Sequence, residues 1–181
     1  MSLDADQVLA AAKQQMLAQG EHAPLVFVST DAQPFYCLPV KGGWNEDHDS
    51  RVKTLFLLGR AFAQEAHVTA EMITTLFLAH EVWAVERGEN EPAPQSPLGE
   101  LPDRRECLSV LELRKEGRTL RQTIYLVDIL RQGGVIDLGP KQKVAEVESS
   151  LLTSFFAGVG SAQWSDRQLA ERLQHRDVGD L

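Results

Sequence analysis

The 181-residue sequence lacks most of the features that declare a function. No apolar run approaches the roughly 20 residues that cross a bilayer. The opening MSLDADQ has neither the basic start nor the apolar stretch of a secretory leader, so a cytoplasmic chain that works off the membrane is expected. Basic side chains are outnumbered, 18 Lys and Arg against 26 Asp and Glu. The net charge of −8 leaves no surplus of cations to displace counterions from phosphate, and nucleic-acid binding is therefore not expected. Cysteine is scarce as well: Cys37 and Cys107 lie far apart, each in an apolar strand pattern, and both read as free, buried thiols.

Catalytic signatures are also missing. The glycines at Gly20, Gly42 and Gly133 are not followed by the lysine or the spaced glycines of a phosphate cradle. Ser109 sits in a strand pattern and not in a nucleophile elbow, and His22, His48, His67, His80 and His175 are scattered. Glu46, Asp47, His48 and Asp49 are consecutive, whereas metal ligands draw on spaced positions; these acids suit a helix N-terminus capped by Asp49 or Ser50. No metal and no cofactor is expected.

What is present specifies a fold. An apolar content of 43% supports a sizeable core. Asp4 with Gln7 forms a capping box, Gly20 can close the helix, and Val8, Ala11, Ala12 and Leu17 supply its apolar stripe. PLVFVST and PFYCLPV read as a β-hairpin around Asp31-Ala32-Gln33. A helix from about Arg51 to Ala66 buries Val52, Leu55, Phe56, Gly59, Phe62 and Ala63. The segment EMITTLFLAHEVWAV is apolar at both parities, which predicts a central strand covered on both faces. A proline- and acid-rich loop fills positions 86–103.

RRECLSVLELRKEGRTLRQTIYLVDIL then predicts a hairpin with Glu116-Gly117 as its two-residue turn. That register sets Glu112 opposite Arg121, Val110 opposite Thr123 and Leu111 opposite Gln122, with one wet face and one apolar face. RQGGVIDLGP adds a turn and a short strand. A helix is predicted over Lys141–Ala157, broken by Gly158 and Gly160, and a last one is capped by Ser165 with Gln168. The expected fold class is α+β: an antiparallel or mixed sheet of five to six strands, helices mainly on one face, and a C-terminal helical pair. The expected division is an α+β domain over 1–140 and a helical extension over 141–181, packed on it.

His80 and Glu81 point to opposite faces of their strand and cannot act as an acid–base pair. Glu81, beside Trp83, needs a cationic partner, and Arg104 or Arg105 at the start of the next strand is expected to supply it. One reading is a strand end tied by an ion pair. The other is a ligand pocket built from His80, Glu81, Trp83, Arg104, Arg105 and Glu106 beneath the 86–103 loop. Asp128 is expected to cap, to face solvent or to sit beside Arg131.

Glu81-Val82-Trp83 ending one strand and Pro102-Asp103-Arg104-Arg105-Glu106 opening the next resemble an uncharacterised group of bacterial and phage proteins. These carry a Glu-Ala-Trp strand end, a proline-rich loop and an Asp, Arg and Glu stretch; here Val82 stands for the alanine. The likeness spans about residues 20–130 and implies a shared strand–loop–strand unit without an activity. The functional expectation is a non-enzymatic interaction or scaffold module, with a homodimer or a protein partner in view. The alternative is a small-ligand binder or enzyme at the strand-end pocket.

Overall fold

The computed structural model describes residues 3–32, 35–42, 44, 47–86, 96, 98–117, 119–146, 149–165 and 167–168, without the side chains of 145 and 146. Most of the proline-rich loop, and the final helix beyond the Ser165–Gln168 cap, lie outside these residues.

The first helix, α1 (Ala5–Gln19), begins where its sequence says it should. The Asp4 carboxylate accepts from the Gln7 N–H at 2.9 Å and the Gln7 side chain accepts from the Asp4 N–H at 3.0 Å. Gly20 ends the helix at φ +81, a left-handed conformation that costs glycine little. The buried stripe is Ala5, Val8, Leu9, Ala12 and Met16. Ala11 and Leu17, expected on it, lie off the 3.6-residue repeat set by these positions and turn outward.

Seven strands form one sheet in which every neighbouring pair is antiparallel: β1 (Leu25–Thr30), β2 (Tyr36–Pro39), β3 (Ile73–Ala84), β4 (Arg105–Glu116), β5 (Thr119–Gln132), β6 (Val135–Leu138) and β7 (Gln142–Glu146). The order is β2-β1-β3-β4-β5-β6, with β7 also on β5. The fold is α+β, as expected, with one strand more than the sequence suggests. That strand is β7, which replaces the first part of the predicted 141–157 helix. β6 and β7 follow one another along β5, interrupted at Gly139-Pro140. Three steps of β5, from Ile129 to Leu126, face four of the partner, from Leu138 to Gln142, so one extra residue is taken up there. The Gly139 N–H donates to the Asp128 carbonyl at 2.9 Å.

The β4–β5 register differs from expectation by two residues: Glu112 faces Thr123 and Leu111 faces Ile124. Glu116 pairs with Thr119, so Gly117, at φ +63, opens the turn and does not close it. A slip of two preserves every side chain's face. The side expected to be wet is nevertheless covered in part, because α1 packs there on Leu108, Val110 and Val127. Glu112 on that side is only 5% exposed; Arg114 donates to it at 2.6 Å and Tyr125 at 3.1 Å.

β3 is central, between β1 and β4. Leu76 and Leu78 face one core with Val26, Val28, Leu111 and Leu113, while Phe77 and Ala79 face the other with Phe27 and α1. A fully buried Leu or Phe contributes about 1.5–3 kcal/mol, which is why a strand apolar at both parities goes to the middle. Among the described residues β2 has only β1 beside it, and Cys37, expected to be buried, is exposed there; Cys107 is buried, and both thiols are free.

Two of the three α-helices among the described residues, α2 (His48–Ala66) and α3 (Ser150–Gly160), cover the Leu76–Leu78 face. α2 begins earlier than predicted and is capped by Asp47, whose carboxylate accepts from the Ser50 N–H at 2.8 Å. The two helices run parallel, with His48 beside Ser150 at one end and Arg60 beside Ser161 towards the other. Two glycines let their backbones touch. A Cβ on Gly59 would lie 2.2 Å from the Phe155 carbonyl oxygen, and one on Gly158 would lie 2.0 Å from that of Phe56. Gly158, expected to break α3, is instead a contact point inside it.

Candidate functional site

Because α2 and α3 are parallel, their N-termini lie together, over the end of β3 that carries His80, Val82 and Ala84. A cleft of about 810 Å³ opens there. Its apolar lining includes Val82, Ala84, Leu111, Ile124, Leu126 and Val144, and the polar residues on the His80 side of it include His48, Arg51, His80, Ser109 and Ser149. This size and mixture suit a small ligand.

His80 is 5% exposed, and its ring meets Trp44 edge-on at 5.1 Å. Its Nδ1 lies 3.1 Å from the Glu81 carbonyl oxygen, which can only accept; the proton is therefore on Nδ1 and Nε2 is left as an acceptor. Burial is the largest influence on the ring and lowers its pKa to about 4; the Glu81 contact opposes this and the Arg51 charge adds to it. Ser109 is the direct cross-strand partner of His80 and is 3% exposed. Its hydroxyl makes no hydrogen bond among the described residues, to His80 or to any other group. The pair therefore offers a hydroxyl donor and an unprotonated imidazole to an occupant of the cleft.

Arg51 is held from behind. Its Nε donates to the Trp44 carbonyl at 2.7 Å, its guanidinium carbon lies 5.5 Å from the Trp44 ring centroid, and no carboxylate pairs with it among the described residues. His48 Nε2 and Ser150 Oγ are 2.8 Å apart and join the two helix starts. None of Arg51, Ser109 and His48 was legible as part of a site, since their meeting depends on the parallel helix pair and on the β3–β4 register. The nearest signal is a serine in the otherwise apolar run CLSVLEL.

The six residues expected to form a pocket are only partly brought together. His80, Glu81, Trp83 and Glu106 border the cleft, of which His80 alone has its side chain on the Ser109 face, whereas Arg104 and Arg105 do not border it. Neither arginine neutralises Glu81. Arg104 stacks over Trp83 at 5.0 Å, leaving that ring 44% exposed, and Arg105 donates to both Asp128 oxygens at 2.9 and 3.0 Å. Asp128, expected to cap or face solvent, also accepts from Gln142 at 3.3 Å and lies 3.3 Å from Cys107 Sγ. The reason is register: Cys107 is paired with Asp128, so the neighbouring Arg105 reaches that carboxylate.

Glu81 is instead bound into a clamp on the other face of the sheet. Arg131 donates to Glu106 at 2.7 to 3.0 Å and to the Gly20 carbonyl at 2.7 Å, and its terminal nitrogen lies 3.7 Å from Glu81. The His22 N–H donates to Glu81 at 2.5 Å. Partial burial raises the Glu81 pKa, with the Glu106 charge in the same direction, against the pull of the His22 N–H and Arg131. The His22 ring is buried with neither nitrogen hydrogen-bonded, and burial lowers its pKa to about 4. The clamp thus ties the end of α1 to β3, β4 and β5, and every charged group in it has a partner.

No group of three or more His, Cys, Asp or Glu side chains among the described residues is arranged to hold a metal ion. No helix of the described residues is long and apolar enough to cross a membrane. Comparison with protein-family models, with curated proteins and with solved structures finds no match to this chain.

Proposed function

We propose that the protein binds a small organic ligand in the cleft at the start of α2 and α3. One observation carries this reading: where the rest of the β3–β4 surface is buried under α1, α2 and α3, an 810 Å³ cleft leaves apolar side chains beside the Ser109 hydroxyl and the terminal nitrogens of Arg51, which have no protein acceptor among the described residues. Buried polar groups are normally satisfied, and groups left open in a concavity suit an occupant. A reducing, cytoplasmic setting belongs to the proposal and rests on two free thiols, with Cys37 exposed.

A thermal-shift screen with a chemically mixed fragment set tests the reading on the wild type and on Leu126→Trp, which fills the cleft from its floor. Fragments that raise the wild-type midpoint and not that of the variant support it. A screen in which none does so refutes it.

The interaction or scaffold module is the second reading. Its support is a small apolar patch on the β5–β6 hairpin, where Leu130 and Val135, 47% and 68% exposed, lie diagonally on one face. Sedimentation equilibrium separates the two: a dimer dispersed by Val135→Lys favours the module, and a monomer at all concentrations opposes a homodimer.

A further inference from the structure

We infer, on the reading that the cleft is a ligand site, that its ligand is an amphipathic monoanion, a carboxylate head on an apolar body. Within the cleft, Arg51 is the only Arg or Lys side chain among the described lining residues. Its guanidinium is anchored through Nε and by the Trp44 ring, so its outer nitrogens are held in place and lack a counter-ion. A guanidinium presents parallel N–H donors that match the two oxygens of a carboxylate. One fixed cation balances one negative charge, where a phosphate monoester would bring nearly two.

The surroundings of Arg51 agree. Ser109, only 3% exposed, places a hydroxyl without a hydrogen-bond partner among the described residues in the same cleft. The start of α3 is capped by Ser149, a neutral residue, and its amide dipoles favour an anion there. The start of α2 contributes less, since Asp47 and Asp49 already offset it. The carboxylates of Glu81 and Glu106 are engaged by Arg131 and the His22 N–H on the other face of the sheet and do not pair with Arg51, which places the anionic head at the Arg51 end. Beyond the head, Leu111, Ile124, Leu126 and Val144 offer only hydrocarbon. The occupant's remainder is therefore apolar and extended along the sheet.

The test is isothermal titration of the wild-type protein with n-alkanoates from butanoate to octanoate, with the matching alcohols and alkylamines, and with inorganic phosphate. Alkanoates should bind, gaining about threefold to fourfold per methylene from burial of the chain. Arg51→Ala should weaken octanoate about tenfold or more while changing octanol by less than about twofold. Leu126→Trp should abolish both. Alcohols or amines that bind the wild type as tightly as alkanoates, or phosphate that outcompetes them, overturn the carboxylate assignment while leaving a ligand cleft. Octanoate binding unaffected by Leu126→Trp places it elsewhere and overturns the inference. If no member of the series binds, the carboxylate assignment fails, and the fragment screen decides the cleft separately.

Discussion

His80 and Glu81 are adjacent on β3, yet they enter opposite kinds of polar surroundings. Glu81 joins a clamp in which Arg131, Glu106, the His22 N–H and the Gly20 carbonyl satisfy one another. His80 faces a cleft in which the Ser109 hydroxyl and the terminal nitrogens of Arg51 have no protein acceptor among the described residues. A saturated network holds elements together; an unsaturated one, in a concavity, costs desolvation and keeps that cost only if something else occupies it. The difference separates architecture from function more sharply than residue type does, because a histidine and an arginine lie in both regions.

The comparison can be broken most strongly at the roof of the cleft. Gly158→Val sets side-chain atoms against the Phe56 carbonyl, forces α2 from α3 and should destabilise the fold by about 3 kcal/mol or more, read from urea unfolding. Acid should act next. The unfolded ring of His80 takes up its proton near 6.5 and the folded ring only near 4, so stability is full above 6.5 and falls as pH drops towards 4. The full loss is about 3 kcal/mol, and His22 adds to it in the same direction. Glu81, with its raised pKa, works oppositely, since protonation relieves its burial. His80→Asn should flatten the decline in urea midpoint between pH 6.5 and 4; an unchanged slope would remove His80 from its cause.

Smaller effects sharpen the contrast. Arg131→Ala leaves Glu81 and Glu106 facing each other and should cost about 1–2 kcal/mol, held down by solvent around the half-exposed guanidinium, with ligand binding retained. Ser109→Ala removes no hydrogen bond and should change stability by less than about 0.5 kcal/mol, despite complete burial of the site. A loss of 2 kcal/mol or more, as roughly expected for breaking a buried network, would show that Ser109 has a structural partner.

Much of the fold was legible because its signals are local. The Asp4–Gln7 box, the α2 stripe through Gly59 and the two-sided apolarity of β3 each lie within one element. The β4–β5 turn was legible only to within two residues, because glycine can serve either turn position and the observed register sets Arg114 opposite Arg121, a like-charge pair that matching charges across the strands does not select. The sequence of β7 predicts helix because Val144, Glu148, Leu151, Leu152 and Phe155 lie at helical spacing; the Ser149 cap, in ESSLL, marks the true start. Position 80 against 81 was legible from strand alternation alone. The partners were not: Arg131 reaches Glu81 from β5, beyond β4, and Arg51 shares a cleft with Ser109 because two glycines set the helices side by side.

The most direct test of the division between clamp and cleft is an amide chemical-shift titration of the wild-type protein with octanoate. Saturable shifts are expected at His48 to Arg51, Ser149 to Leu151, His80, Ser109 and Leu126, with Gly20 and Arg131 unmoved. Shifts centred on Gly20 and Arg131, or on Leu130 and Val135, would contradict the assignment of the open polar groups to ligand binding.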